Sequence, residues 1–324
     1  MELCVMSPVL GELSLEQSLA YLNSLGVHSM EIGAGGYPGK AHLNPAEYLA
    51  HPEKVEELKA LLKKYDVHFS ALACHGNPVH PNREIAQRFH NEFVDAMRLA
   101  VMLDVDTVIA FSGCPGDCEN SQNPNWVTCP WPDDFLKILD WQWNDVLIPY
   151  WQKTSEYAKG CGVNEIAFEM HPGFCVYNTE TMLKIRNAVG KTIGANVDPS
   201  HLIWQGMDPV EVVRVLGKEK AIFNFHAKDT RIDETNTKVN GVLDTKHYGD
   251  ELNRAWVFRA VGYGHDQKWW KDICSALRLV GYDKVMSIEH EDSLMSIDEG
   301  LCKAIECLAP CIIHEPKPTT MAWA

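Results

Sequence analysis

Short apolar runs alternate with longer stretches of helical periodicity from one end of the chain to the other. Eight runs predict strands: Leu3–Pro8, Ser29–Gly33, His68–Cys74, Thr107–Ser112, Glu165–Met170, Ile193–Val197, Ile222–His226 and Val285–Glu289. Most are continuously apolar rather than alternating, as parallel strands covered by helices should be. The helical stretches between them carry their own punctuation. Ser14 followed by Gln17 resembles a capping box opening Leu15–Leu25, and Gly26 stops it. Leu15, Leu19 and Leu22 share one face of that helix, fit to pack on a sheet. Thr179–Ala188 ends near Gly190, Asp208–Leu216 at Gly217 and Trp269–Leu279 near Gly281, where glycine relieves the left-handed turn that closes a helix.

Eight strand–helix repeats predict an α/β protein, a single-domain (β/α)8 TIM barrel, with an open doubly wound sheet as the alternative. The chain has 324 residues, more than the roughly 250 typical of such a barrel and within its range with insertions. Much of the surplus falls in extended loops after strands 4 and 7. Gly113–Pro132 is rich in Pro, Gly, Asn and Cys, and Thr230–Gly264 is polar with an Asn240-Gly241 turn signal. Long loops after barrel strands sit on the active-site face and shape access to it. The reading is a barrel over residues 1–309 and a C-terminal tail over 310–324, proline-rich at Pro316–Pro318 and expected at the surface or an interface.

Composition narrows the class. Hydrophobic residues make up 46% and charged residues 23%, as in ordinary soluble domains. With 44 acidic against 29 basic residues the net charge is −15. A nucleic-acid binder needs a basic face, so no nucleic-acid partner is expected. No apolar run is long enough to span a bilayer, and MELCVMSPVL lacks the pattern of a signal peptide, so no membrane association is expected. Eleven scattered cysteines, an odd number, do not read as a disulfide framework. The expected setting is cytoplasmic.

Four predicted strands end in a residue able to bind a hard metal: Glu169, Asp198, His226 and Glu289. The steps from 169 to 198 and from 198 to 226 each match one βα unit, and the step to 289 is one unit plus the long loop. Side chains at neighbouring strand ends of a barrel converge on one small volume. Three carboxylates there would repel without a cation. Singly, each could instead cap a helix or pair with a nearby Lys or Arg; together they point to one divalent metal ion. Three oxygens and an imidazole suit Mn²⁺ first, with Mg²⁺, Co²⁺ or Zn²⁺ as alternatives. Four protein ligands leave room in a six-coordinate shell for two adjacent sugar oxygens.

With these residues in place, the chain resembles the sugar phosphate isomerase/epimerase family, xylose isomerase-like TIM barrels that include ketose 3-epimerases, inosose dehydratases and endonuclease IV. The resemblance runs over about residues 1–309, through FEMHPG, NVDPSHL, FHAKD, SIEHED and CHGNPVHP. It implies that Glu169, Asp198, His226 and Glu289 are metal ligands, that His201 and Arg231 contact substrate, and that Glu169 and Glu289 move the proton. A carbonyl polarised by the ion acidifies the neighbouring C–H, and a carboxylate removes the proton. Its return to the opposite face gives an epimer and to the adjacent carbon an isomer, whereas loss of a β-substituent is elimination.

Further candidates surround these. His171, His75, Asn77 and His80 are set to contact substrate or to fill caps and loops; Lys228 and Asp229 to support the site or pair at the surface. His265, in Gly-Tyr-Gly-His, reads as a structural turn. Cys114, Cys118 and Cys129 share a loop but lack a fourth ligand at zinc-site spacing. Cys302 and Cys307 are expected in the core of the last helix. Trp126 and Trp131 are placed to stack on a sugar or flat aglycone, or to be buried under their loop. The expected activity is a metal-dependent sugar isomerase or epimerase of carbohydrate metabolism. The alternative is a lyase, an inosose-type dehydratase or the catalytic subunit of a C-glycoside deglycosidase acting on 3-keto glycosides. Beyond a small keto-sugar substrate, a second copy or a small partner subunit is expected. An endonuclease IV-like nuclease is disfavoured by charge, and a non-catalytic binding subunit by the intact ligand set.

Overall fold

The computed structural model describes residues 1–315. Eight parallel strands close into a barrel: β1 (Glu2–Met6), β2 (Ser29–Gly33), β3 (His68–Ala73), β4 (Thr107–Ala110), β5 (Glu165–Glu169), β6 (Ile193–Val197), β7 (Ile222–Ala227) and, after an insertion, β10 (Val285–Ile288). Their order around the barrel is β1-β10-β7-β6-β5-β4-β3-β2, closed where Val5 of β1 pairs with Ile288 of β10. The strands match the apolar runs to within a residue or two at each end. Helices cover the outside, and strand residues such as Val5, Met30, Val108, Ile166 and Phe225 are buried against them.

A smaller cluster joins Ala71, Ile109, Ala167 and Phe223 from β3, β4, β5 and β7. Since β7 is not hydrogen-bonded to β3 or β4, this contact crosses the barrel interior and plugs it. Gly194 on β6 makes the plug possible, because a Cβ there would lie 2.4 Å from the Phe223 ring. Barrel interiors are packed layers of side chains, not pores.

The helix signals hold with one correction. Ser14 and Gln17 form a reciprocal capping box at 3.3 and 2.9 Å. Gly217, however, lies inside the helix Pro209–Lys218 rather than at its end. Its Cβ would sit 2.4 Å from Val280, so this glycine serves close packing, and Lys220 at φ 50° turns the chain instead.

The second long loop is more ordered than its polarity suggests. It contains β8 (Asp229–Ile232) and β9 (Trp256–Arg259), paired antiparallel, with the short helix Glu234–Asn240 between them. Past residue 309 the chain stays on the barrel: Cys311 and Ile312 are buried, and the Ile313 carbonyl accepts from the Met1 amine and Arg278. Pro316–Pro318 lie outside the described residues. Among the described residues, no helix is long and apolar enough to cross a membrane.

Candidate metal centre and active site

Each strand-end residue reaches the C-terminal mouth for a local reason. Glu169 is the last residue of β5, His226 lies near the end of β7, and Glu289 follows β10 directly. Asp198 follows β6 and caps the helix Pro199–Trp204: its Oδ1 accepts the Ser200 N–H at 2.8 Å, which turns Oδ2 toward the mouth. One ligand atom from each of the four falls within 4.8 Å of the other three. His226 Nδ1 stands 3.0 Å from Glu289 Oε2 and 3.4 Å from Glu169 Oε2.

Asp198 Oδ2, His226 Nδ1 and Glu289 Oε2 are nevertheless buried without a hydrogen-bond partner. Buried polar atoms are almost always satisfied, and these three, with only the Lys228 ammonium 3.3 and 3.6 Å from the two carboxylates, fit a further shared partner. A divalent cation suits two carboxylates and an imidazole together. Adjacent corners of an octahedron with bonds of about 2.1 Å lie about 3.0 Å apart, the scale of the closest spacing here. The residues present fit a divalent ion.

Electrostatics agree. Burial pushes the Glu169 carboxyl up, but hydrogen bonds from His201 and His75 outweigh it and hold the group well below the ordinary range. Burial likewise opposes ionisation of Glu289, yet Lys228 and His226 bring it down to about 2. Asp198 is raised, because burial exceeds the help it receives from His201 and Lys228.

Two residues belong to the site beyond the strand-end set. Glu31 on β2 is fully buried and accepts from His226 Nε2 at 2.9 Å and from Asn224 at 3.0 Å. This bond fixes the imidazole with Nδ1 toward the centre, the usual way an outer carboxylate orients a metal-binding histidine. The signal was an acidic residue inside an otherwise apolar strand. Lys228 is the second. Of its two sequence readings, surface pairing does not hold: the side chain is buried, with Nζ 2.6 Å from Glu291, 3.3 Å from Glu289 and 3.6 Å from Asp198. The period-two step from His226 to Lys228 was the clue.

The remaining candidates separate clearly. His75, His171 and His201 line the cavity with Glu169 and Glu289. His75 donates to Glu169 at 2.9 Å, and His201 Nε2 sits 3.2 Å from both Glu169 and Asp198. The His171 ring packs 4.0 Å from that of His201, and burial pushes its imidazole down to about 3. Asn77 is buried but engaged elsewhere, exchanging hydrogen bonds with the Cys114 backbone at 2.8 and 3.0 Å. Arg231 is exposed on β8 and does not line the cavity; nor does His80, whose ring accepts the Asn82 N–H.

Asp229 anchors the end of the insertion, accepting N–H groups of Gly262, Gly264 and His265 and the His265 ring. His265 is thus part of a structural turn. Trp131 is 74% exposed and Trp126 packs edge-on against Tyr177, so neither faces the cavity. Among the described residues, no cysteine joins a cluster able to hold a metal; Cys302 and Cys307 are only half-buried.

The cavity above the centre measures about 730 Å³. Its position outside the carboxyl ends of the strands is where barrel enzymes bind substrate.

Relatives share this architecture. The chain is 41% identical over 315 residues to the uncharacterised protein YfiH of Bacillus subtilis strain 168, covering 96% of this chain and 99% of that one. Among solved structures, an IolI protein with a bound zinc atom superposes with a TM-score of 0.65 at 21% identity, covering 96% and 98% of the two chains. The probable 3-DHS dehydratase AsbF of Bacillus anthracis gives 0.64 at 13%, covering 95% and 99%. D-psicose 3-epimerase of Clostridium cellulolyticum H10, solved with D-tagatose, gives 0.59 at 14%, covering 96% and 98%. At these identities the structural likenesses show the fold. The profile of xylose isomerase-like TIM barrels matches residues 19–311, and the chain belongs to that family.

Proposed function

We propose that the protein is a divalent-metal-dependent sugar isomerase or epimerase that removes a proton next to the carbonyl of a keto-sugar. One observation carries this reading: Glu169, Asp198, His226 and Glu289 bring ligand atoms together beneath a cavity that Glu169 and Glu289 line, and one atom of each of the last three has no hydrogen-bond partner. These four would hold the ion, with Mn²⁺ the first candidate. Bound there, the ion supplies Lewis acidity and a docking point for adjacent sugar oxygens.

The chain's own groups do the rest. Glu289 and Glu169 face the cavity as carboxylates, kept ionised by Lys228 and by the His75–His201 pair respectively. An ionised carboxylate beside an acidified C–H is a general base. Because the two stand on different strands, one can take the proton and the other can return it to another face or carbon. His171 and His201 present imidazoles to substrate hydroxyls. The zinc atom in IolI and the D-tagatose in the epimerase support this reading by analogy of fold. Elimination is the second reading, favoured by the dehydratase among the structural neighbours.

The test is NMR of a panel of ketoses, inososes and 3-keto glycosides incubated with Mn²⁺-loaded protein in D₂O, with Glu289→Gln as control. Deuterium entering carbon beside a carbonyl, and lost in the variant, is the expected result; the product separates epimer, isomer and elimination. Bound metal without exchange on any member would count against the reading, and absence of bound metal would sink the site.

A further inference from the structure

Beneath the metal centre the barrel interior is polar. Strands β6 and β7 each bury an asparagine, Asn196 and Asn224, two residues before Asp198 and His226. The period of two along a strand sends each amide to the same side as the ligand that follows it, into the barrel. The register across the strands agrees: Glu169 pairs with Asn196, and Asn196 with Asn224. Three polar side chains from β5, β6 and β7 therefore stand side by side in one layer.

Hydrogen bonds join them into a ladder. Asn224 Nδ2 lies 3.0 Å from Glu31 Oε2 and 3.1 Å from Asn196 Oδ1. Asn196 Nδ2 in turn lies 3.3 Å from Glu169 Oε2. Strand β2 does not pair with β7, so Glu31 reaches this layer across the barrel interior. Glu31 also sets the direction of every bond. A carboxylate accepts, so Asn224 must turn its amino group to it, and the second N–H of that group donates to the Asn196 carbonyl. Asn196 is left to present its own amino group to Glu169. Its Nδ2 also stands 3.1 Å from His226 Nε2, but that nitrogen gives its proton to Glu31 and cannot accept.

Glu31 thus holds two sides of the metal centre, His226 on β7 directly and Glu169 on β5 through two amides. An amide suits the second task. His75 and His201 also touch Glu169, but an imidazole can pass its proton to the carboxylate, which would spoil a ligand and a base. An amide donates without that exchange.

We propose that Asn196 and Asn224 are positioning residues, which fix the Glu169 carboxylate toward the ion and make its aim depend on Glu31. The ligands on β5 and β7 are then oriented as one unit. This role rests on the metal centre of the proposed function and is independent of the substrate. A pair that merely filled the barrel would leave the bound ion indifferent.

Co²⁺ binding to the full chain is the test, with affinity from calorimetry and coordination from the visible absorption of the bound ion. Asn196→Ala should weaken Co²⁺ about 10- to 100-fold, the range for a lost outer partner, and alter the spectrum at saturation. Asn224 bonds Glu31 and Asn196 rather than a ligand. Asn224→Ala should therefore act in the same direction through Asn196, and the double variant should bind about as well as Asn196→Ala alone. Asn224→Ser is the conservative variant: one hydroxyl proton serves one acceptor, so part of the affinity should return. Melts with chelator read folding separately. Folded alanine variants with wild-type affinity and spectrum would show a packing role and overturn the proposal while leaving the metal centre standing. Losses that add in the double variant would overturn the ladder as a coupled unit. Should the alanine variants not fold, Asn224→Ser decides alone: weaker binding with an altered spectrum supports positioning, and wild-type behaviour overturns it. A wild type that binds no Co²⁺ overturns the metal centre and the positioning role together.

Discussion

Strand β5 begins with one glutamate and ends with another, and the two obey opposite rules. At the N-terminal end of the barrel, Glu165 accepts from the Thr107 hydroxyl at 2.6 Å and pairs with Lys284 in partial contact with water. Four residues on, Glu169 is buried in a cluster with two further acids, Asp198 and Glu289, and with His75, His201 and His226 against it. Charge at one end is neutralised locally. At the other it is concentrated until buried atoms are left unpartnered. Proteins tolerate such concentration where function requires it, which makes the difference a map of where chemistry occurs.

The largest break in this comparison comes from removing a cavity-facing carboxylate. Glu289→Gln keeps the size and loses the base, so deuterium exchange should fall by about 10²- to 10⁴-fold. The bottom-rim substitution Glu165→Gln should leave the exchange rate unchanged. Parallel rate measurements on the two variants decide whether the ends differ in kind.

Metal linkage tests the same contrast through stability. Metal at 100 times its Kd should stabilise the wild type by about 2.7 kcal/mol. Asp198→Asn should abolish most of that gain. Because burial raises the Asp198 pKa, its ionised form opposes folding at neutral pH, and the ion-free variant should melt no lower than the ion-free wild type. Thermal melts with Mn²⁺ and with chelator read both effects. Glu31→Gln goes one layer further out, removing the charge that strengthens the hydrogen bond from His226, and should weaken metal affinity about 10- to 100-fold. Unchanged affinity would show that the imidazole is oriented without it.

What could be read in the chain follows the same division. Glu169, Asp198, His226 and Glu289 were legible as a group because each ends an apolar run, and runs of this kind report strands directly. Glu31 was hidden inside its run, Ser-Met-Glu-Ile-Gly, where nothing after it suggested a site. Lys228 was obscured by its neighbour Asp229: both follow β7, but Lys228 turns to the carboxylates and Asp229 to the Gly262–His265 backbone. Strands β8 and β9 escaped notice because their pairing partners lie far apart across a polar loop. That same pairing decides Arg231: Thr230 is buried, and the next residue on the strand therefore points outward.

The insertion supplies an intermediate case, a carboxylate that is shielded and fully satisfied. Asp244 accepts from the Ala255 N–H at 2.7 Å and the Lys246 N–H at 2.9 Å. Burial opposes its ionisation, but these bonds bring its pKa to about 2, below the usual 3.8. A depressed folded-state pKa stabilises above the unfolded value and is lost as pH falls. The insertion should therefore lose up to roughly 2 kcal/mol of local stability between about pH 4 and pH 2. Trp256, whose indole donates to the Val242 carbonyl at 3.0 Å, is the fluorescent reporter. Asp244→Asn should flatten the acid limb; a limb that persists would place the titrating group elsewhere.

The smallest expected effect is the most pointed control. Glu165 and Lys284 form a partly exposed pair, and such pairs contribute about 1 kcal/mol or less. Glu165→Gln keeps the Thr107 hydroxyl satisfied, since a glutamine carbonyl still accepts, and only the charge is lost. Its thermal melt should move by a few degrees at most, and raised salt should erase the difference because exposed ion pairs are screened. The metal-induced shift should remain at the wild-type value. If Glu165→Gln lowered metal affinity as Glu31→Gln does, the two ends of β5 would be coupled through the barrel, and the division of labour drawn from its two glutamates would fail.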